Sequence, residues 1–251
     1  WDITKLKGPQ KGVYYMLYVV LDIFSRYVVG WMLAEKENAS LAKRLLRETM
    51  SKYGIEPGQL TVHQDRGSPM RAQTTRDMLD DLGATRSYSR PRVSNDNPFS
   101  ESHFGTLKQR PELPDRLGSL EHGRQVLRPI LQWYNEEHHH SGLRLLTPAQ
   151  VHYGQAEEVL ARRHAVRMTA YDAHPERFIN GPPQLEVLKS EVWINKPDDD
   201  SSDEAMPSIA NSSQSAETVG GVKAREATAK PPGLYAAERV GESSTEVVLI
   251  H

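Results

Sequence analysis

The 251-residue chain contains no cysteine. This absence excludes disulfide bonds, thiolate metal sites and a cysteine nucleophile, and it fits a reducing compartment such as the cytoplasm. No apolar run approaches the length of a membrane span, because the most apolar stretch, residues 13–24, is interrupted by Asp22. No signal peptide is recognisable, and the chain begins with Trp1 rather than Met, so we expect a fragment or a processed chain.

Hydrophobic residues are also few, at 37% of the chain, so we expect part of it to lie outside any core. The net charge of −2 combines a mildly basic body with an acidic tail. Residues 196–251 hold ten acidic and five basic side chains, whereas residues 1–195 hold 23 acidic and 26 basic ones. The basic body is compatible with nucleic-acid contact. The tail lacks hydrophobic periodicity, which predicts disorder.

The residue patterns predict a mixed sheet flanked by helices. Residues 13–33 indicate two β-branched and aromatic strands around a polar turn at Ser25 and Arg26. Asn38 and Gly54 are typical of the start and end of a helix. Further strands are predicted at 60–65 and 84–89, with helices at 68–83, 98–110, 119–139 (kinked near Pro129) and 154–178. With residues 1–4 as a first strand, this order predicts an α/β fold with five strands.

Three acidic residues stand out by their positions in these elements. Asp2 lies in the first strand, Asp65 ends the strand at 60–65, and Glu101 lies in the first turn of a helix. Carboxylates at one edge of a sheet supply the oxygen ligands that Mg²⁺ requires, and two such ions support phosphoryl transfer. Lys108 lies two helical turns after Glu101, and Asn97 one turn before it, so all three share a face suited to DNA phosphate.

Five stretches of the sequence, in order, resemble the integrase-core (retroviral-type, DDE) catalytic domain of bacterial insertion-sequence transposases. They read WDIT, VVLDIFSRYVVGW, HQDRGS, SRPRVSNDNPFSESHFGTLK and WYNEEHHHSGLRLLTPAQVHYG, and further similarity continues to VWINKP. Asp65 and Glu101 are separated by 35 residues, the spacing typical of this family's acidic triad. The resemblance implies an RNase H-like fold, which agrees with the element order.

The resemblance implies a polynucleotidyl transferase that cleaves DNA strands and transfers them during transposition. Asp2, Asp65 and Glu101 would be the catalytic residues and the ligands of two Mg²⁺ ions, for which Mn²⁺ could substitute. Lys108 matches the family's basic residue that contacts DNA near the reacting end. The expected partners are insertion-sequence ends, target DNA and further copies of the chain, in the bacterial cytoplasm and without membrane contact.

The predicted organisation is an integrase-like core at 1–153, a helical extension at 154–195 and the disordered acidic tail at 196–251. Within the core, two further sets of candidate side chains complete the site. The DNA-binding candidates are Lys108, Arg90, Arg92, Asn97 and His140, and the residues expected to support the carboxylates are His63, Ser102 and, as a second role, Asn97.

Two other motifs receive structural interpretations. Asp22 is predicted to cap the turn between two strands rather than to bind metal. Consecutive histidines 138–140 point in different directions, so they form a poor zinc site. His139 replaces an arginine of the family pattern, which weakens a phosphate contact at neutral pH.

Two alternatives stay open from the sequence. The first is a truncated, non-catalytic remnant that binds DNA or a partner transposase only, which the start at Trp1 and His139 favour. The second is an RNase H-like nuclease that acts on non-mobile DNA or RNA.

Overall fold

The computed structural model describes residues 1–65, 73–89, 97–194 and 222–225. The strands are β1 (Asp2–Lys7), β2 (Tyr14–Leu21), β3 (Val28–Ala34), β4 (Thr61–Gln64), β5 (Thr85–Tyr88), β6 (Glu191–Ile194) and β7 (Val222–Arg225). The helices are α1 (Ala39–Lys52), α2 (Gln73–Asp81), α3 (Pro98–Lys108), α4 (Leu120–Glu136), α5 (Pro148–His152) and α6 (Ala156–Ala173), with short 3-10 turns at Ser141–Leu143 and Pro175–Arg177.

The described strands form separate sheets rather than the predicted single five-stranded one. β1, β2 and β3 make an antiparallel sheet in that order, and β4 pairs with β5 in parallel. The α-amino group of Trp1 donates to the His63 carbonyl at 2.8 Å, and its indole donates to Gln64 Oε1 at 2.8 Å. A ladder requires successive main-chain pairs. These contacts run through a terminal amine and a side chain, so they join β1 to β4 without making one continuous sheet.

The order of the elements up to α3 is confirmed. Helix α1 begins as expected, because the Asn38 side chain accepts a hydrogen bond from the Ser40 amide at 2.8 Å. Helix α4 runs from Leu120 to Glu136 as a single helix that includes Pro129, whose ring lies on the exposed face. The helical stretch predicted at 154–178 is α6 followed by a 3-10 turn.

Both faces of the antiparallel sheet are buried. Alternate residues of β2, such as Tyr15 and Leu17, pack against α3 and α4, whereas Tyr18 and its neighbours on the other face pack against α1 and α2. All seven residues of β3 are buried, which explains why Val28–Ala34 is a continuous apolar run rather than an alternating one. The sheet is therefore held between two helical layers, and this fixes the position of β1 at its edge.

Asn135 of α4 is buried and bonds to the main chain of β3. Its Oδ1 accepts from the Val28 amide at 2.8 Å, and its Nδ2 donates to the Val28 carbonyl at 3.1 Å. The Asn135 side chain therefore satisfies the amide and the carbonyl of Val28, which is buried. Among the described strands, none pairs with β3 on the side away from β2.

We expect Asn135→Ala to lower the free energy of unfolding by about 2–4 kcal/mol, because a buried donor and a buried acceptor of Val28 lose their partners. Urea denaturation followed by circular dichroism measures this loss. Gln125→Ala, an exposed position on the same helix, is the matched control and should change stability by less than about 0.5 kcal/mol. Equal effects of the two substitutions would contradict the assignment.

The turn between β2 and β3 is organised by Asp22, as predicted. Its Oδ1 accepts from the Phe24 amide at 3.0 Å, and its Oδ2 accepts from the Ser25 hydroxyl at 2.5 Å. His152 Nδ1 of α5 lies 3.4 Å from Oδ2, and its ring stacks on Tyr27 at 4.4 Å. Burial alone raises the pKa of Asp22, but these hydrogen bonds outweigh burial and hold the pKa below its ordinary value.

A carboxyl group with a lowered pKa in the folded state stabilises the protein above its unfolded pKa, near 4, and loses that contribution as the pH falls through the folded pKa. We therefore expect Asp22→Asn to cost about 1–3 kcal/mol at pH 7 and progressively less below about pH 4. Urea midpoints across this pH range measure the difference. The exposed Asp172→Asn should show no such convergence, and a constant gap for Asp22→Asn would refute the role.

The C-terminal part is described only in two pieces. β6 pairs antiparallel with β7, so four residues of the tail expected to be disordered, Val222–Arg225, form a strand. The remainder of 196–251 lies outside the described residues, and the three-part division of the chain stays a prediction. Among the described residues, no helix is both long and apolar enough to cross a membrane.

Candidate functional site

Asp2, the first predicted carboxylate, is fixed at the start of β1. It faces Val19 of β2 in the strand register and is half-buried. Its Oδ1 accepts from the Ile3 amide at 2.7 Å, and its Oδ2 accepts from Asn97 Nδ2 at 2.8 Å. Asn97 is the residue immediately before α3. The structure shows the Asn97 side chain orienting a carboxylate, which is one of the two roles that the sequence suggests for it; a DNA contact of Asn97 stays a prediction.

Asp65, the second predicted carboxylate, directly follows β4 and interacts electrostatically with Asp2. Burial raises the pKa of Asp2, and the charge of Asp65 raises it further. The Ile3 amide, the Trp1 ammonium and Asn97 offset only part of this shift. Two half-buried carboxylates that repel each other have the oxygen chemistry and the charge that a hard divalent cation would stabilise. The donor set of Asp2 and Asp65 therefore fits Mg²⁺.

Glu101, the third predicted carboxylate, lies exposed in the first turn of α3. Its amide donates to the Asn97 carbonyl at 3.2 Å, so it is one helical turn beyond the residue that bonds Asp2. Among the described side chains, no group of three His, Cys, Asp or Glu is arranged to hold a metal ion. The structure thus brings Asp2 and Asp65 together and ties Asp2 to the helix of Glu101. The three-carboxylate site stays a prediction.

Lys108 lies at the other end of α3 and reaches β1. Its Nζ donates to the Thr4 hydroxyl at 2.6 Å, and Thr4 is on the same strand face as Asp2. Helix α3 is therefore tied to one strand near both of its ends, at Asp2 and at Thr4. The sequence pattern does not single out Thr4, although its position two residues after Asp2 in a strand is an available signal.

The residues predicted to support the carboxylates have different surroundings. His63 is a buried residue of β4. Its Nδ1 lies 3.0 Å from the Ser87 hydroxyl of β5, and its Nε2 lies 3.3 Å from the Ser89 hydroxyl. These contacts tie its ring to the parallel sheet. Ser102 is exposed in the first turn of α3, and its side chain has no hydrogen bond to the described residues. A direct role of either residue beside the carboxylates stays a prediction.

Of the three remaining DNA-binding candidates, His140, Arg90 and Arg92, the structure describes His140, and its contact with DNA stays a prediction. His140 caps the 3-10 turn, since its Nδ1 accepts from the Gly142 amide at 3.1 Å. Burial lowers its pKa, and the charge of Arg26 lowers it further, so the imidazole is less able to carry a positive charge at neutral pH. Arg90 and Arg92 lie outside the described residues.

We expect Asn97→Ala to lower the free energy of unfolding by about 1.5–3 kcal/mol, because a half-buried carboxylate loses a hydrogen bond made to its charged form. Urea denaturation at pH 7 measures the effect. Ser102→Ala, in the first turn of the same helix, is the control and should be nearly neutral. If both substitutions are neutral, the bond from Asn97 does not hold α3 to β1.

Two family models match the chain, each described as an integrase core domain, at residues 1–94 and 82–148. The transposase for insertion sequence element IS904 of Lactococcus lactis is 31% identical over 150 residues, covering 59% of this chain and 57% of that protein. The putative transposase InsK for IS150 of Escherichia coli is 25% identical over 150 residues, covering 59% and 52%. The chain thus spans about half the length of these relatives.

Solved structures show a weaker likeness. A cryo-EM structure of a simian T-cell lymphotropic virus intasome in complex with PP2A regulatory subunit B56 gamma matches 59% of this chain and 51% of that one, with a TM-score of 0.47 and 22% identity. The HTLV-2 integrase catalytic core in complex with magnesium matches 59% of this chain and 90% of that one, with a TM-score of 0.42 and 19% identity. Residues 1–148 belong to the integrase core domain family, and the curated relatives that match the chain include transposases of insertion sequences.

Proposed function

We propose that the chain is the catalytic core of a DDE transposase, which cleaves DNA strands and transfers them in a metal-dependent reaction. Asp2, Asp65 and Glu101 are the proposed catalytic residues and metal ligands. The family matches to residues 1–148 and the insertion-sequence relatives support this proposal. An RNase H-like arrangement is part of it, supported by the antiparallel β1–β2–β3 sheet and the parallel β4–β5 pair.

The observation that carries the proposal is the hydrogen bond from Asn97 to Asp2, at 2.8 Å. It joins the strand of the first proposed ligand to the helix of the third. The second, Asp65, is close enough to raise the pKa of Asp2. These two contacts support our inference that the three acidic residues share one edge of the fold, although they are 63 and 36 positions apart in the chain.

The proposed reaction is in-line attack on a phosphodiester, first by water and then by a DNA 3′-hydroxyl, without a covalent protein–DNA intermediate. When bound, two Mg²⁺ ions would supply activation of the nucleophile and stabilisation of the leaving oxygen. Asp2 and Asp65 would hold them from the strand side and Glu101 from the helix side. Asn97 fixes the orientation of Asp2, and Lys108 supplies positive charge for a DNA phosphate beside Thr4.

The proposed partners are the ends of the element, the target DNA and further copies of the chain. The basic balance of residues 1–195 is consistent with contact to DNA phosphates. Transposition joins two DNA ends to a target, so an assembly with more than one active site is the expected working form.

Calorimetric titration with Mg²⁺ and Mn²⁺, followed by nicking of supercoiled plasmid DNA, tests the proposal. We expect metal binding by the chain, and a loss of both affinity and nicking of more than about 100-fold in Asp65→Asn and Glu101→Gln. Removal of a ligand should cost at least as much as removal of a residue that orients one. Asp172→Asn, an exposed carboxylate on α6, is the matched control.

The titration and nicking results distinguish the catalytic proposal from its alternative. Nicking that is unchanged in Asp65→Asn and Glu101→Gln would overturn the catalytic assignment. DNA binding by the chain without metal binding or nicking would support the alternative, a non-catalytic protein that binds DNA or a partner transposase only.

A further inference from the structure

A cavity of about 330 Å³ lies along β1 and begins at Lys108, the basic residue of the candidate site. The end of α3 and the segment that follows it form the opposite wall. The Leu117 amide donates to the Lys7 carbonyl at 2.9 Å, and Arg116 donates to the Gly8 carbonyl at 3.2 Å, so this wall is tied to the strand. The lining residues are Lys5, Leu6, Lys7, Tyr14, Lys108, Leu113, Pro114, Asp115 and Leu117.

The charge of this cavity is positive. Three of its lining residues are lysines, and Asp115 is its one acidic lining residue. Asp115 pairs with Lys7 at 2.5 Å, an exposed contact with 52% and 74% of the two side chains accessible. Lys108 bonds a neutral hydroxyl, on Thr4, and Lys5 has no ion-pair partner among the described residues. The cavity therefore presents about two uncompensated positive charges to solvent.

The cavity continues the strand that carries Asp2. A β-strand rises about 3.3 Å per residue, so Lys5 lies about 10 Å and Lys7 about 16 Å along β1 from Asp2. One strand of a DNA duplex advances about 3.4 Å per nucleotide. Lys5 and Lys7 alternate with Asp2 and Thr4, so they project from the opposite face of β1 and reach the cavity around the edge of this strand. Because 3.4 Å is only the rise along the duplex axis, a DNA strand that starts at the carboxylates and crosses this edge would bring phosphates at most about three nucleotides away to Lys5 and at most about five to Lys7.

The chemistry of the lining favours a nucleic-acid backbone over an apolar partner. Lysine ammonium groups act as point charges for phosphate, and they contact DNA without reading its sequence. Tyr14, 46% exposed and opposite Lys7 in the strand register, offers an aromatic face on which a base can stack. The apolar lining residues are the ends of the core beneath these polar groups.

We propose that this cavity binds the DNA backbone within about five nucleotides of the reacting phosphate. Lys5 and Lys108 contact phosphates, Tyr14 stacks on a base, and Asp115 limits affinity by neutralising Lys7. The inference rests on the proposed function, because it takes the DNA at the carboxylates as its starting point. It adds Lys5, Lys7 and Tyr14 to the DNA-binding surface, and it assigns an opposing role to Asp115.

The first test is fluorescence anisotropy of a labelled mixed-sequence DNA duplex with the full chain, across a range of NaCl concentrations. Each phosphate contact contributes about 0.9 to the slope of log affinity against log salt. We expect Lys5→Gln to lower the affinity several-fold and to reduce this slope by about one unit. Lys189→Gln, an exposed lysine outside the cavity, is the matched control and should change neither quantity.

The second test predicts a gain. Asp115→Asn releases Lys7, so we expect higher DNA affinity and a slope larger by about one unit. Asp81→Asn is the matched control, because Asp81 pairs with Lys43 in a comparable exposed contact outside the cavity. A general effect of lost negative charge would raise the affinity equally in both variants, and that result would overturn the role of Asp115.

The third test uses the absence of cysteine from the chain. Lys5→Cys introduces a single thiol, whose thiolate can attack a mixed disulfide tethered to the DNA backbone, forming the protein–DNA disulfide and releasing the tether's small leaving thiol. We expect efficient cross-linking for Lys5→Cys and little for Lys189→Cys. Equal cross-linking of the two, or an affinity and slope unchanged in Lys5→Gln, would overturn the inference.

The outcomes separate the two proposals. If the unmodified chain does not bind the duplex at all, the proposed function fails together with the inference. If it binds and nicks DNA in a manner that depends on Asp65, while the Lys5 and Asp115 variants behave like their controls, the inference alone fails. Unchanged DNA binding in those variants would leave the cavity as a surface for a protein partner.

Discussion

The hydrogen bond between Asn97 and Asp2 is the contact on which the arrangement of the candidate site depends. Helix α3 follows a segment outside the described residues, and this bond fixes the start of the helix against the first strand. Lys108 fixes its end on Thr4. The positions of Glu101, of the lysine-lined cavity and of the wall that closes it all follow from these two attachments. This contact is unusual, because burial raises the pKa of Asp2 and so disfavours its ionised form. The ionised carboxylate is the stronger acceptor for the hydrogen bond from Asn97.

Much of the fold could be predicted from the sequence. Strands β2 and β3 are long apolar runs around a polar turn, and α1 has a clear N-cap and terminating glycine, so local patterns define them. The number of strands in one sheet could not be predicted this way. Whether β1 pairs with β4 depends on main-chain contacts between residues about sixty positions apart, and these have no local signature. The helix predicted to continue past Pro129 is present as α4, and packing on the face opposite the proline maintains it there.

The sequence likewise predicts only part of the candidate site. Position in the predicted strands and helix makes Asp2, Asp65 and Glu101 candidates, and the resemblance to the integrase core is what singles them out among 33 acidic residues. The partners of these residues could not be predicted, since an asparagine one turn before a glutamate has the same pattern whether it binds DNA or a carboxylate. For His140 the sequence suggests a phosphate contact, which stays a prediction, but it does not reveal that the imidazole caps a turn and has a lowered pKa. Lys5 and Asp115 line one cavity only because the fold places chain segments distant in sequence side by side.

Asn135 has a consequence beyond stability. Among the described strands, β3 is the last of its sheet, and an open sheet edge is a template onto which a strand from another molecule can add. By occupying both main-chain groups of Val28, the asparagine side chain closes this point of the edge without adding a strand. Copies of the chain cannot extend the sheet through Val28. If copies of the chain assemble on DNA as proposed, side-chain surfaces rather than this point of the sheet edge would join them.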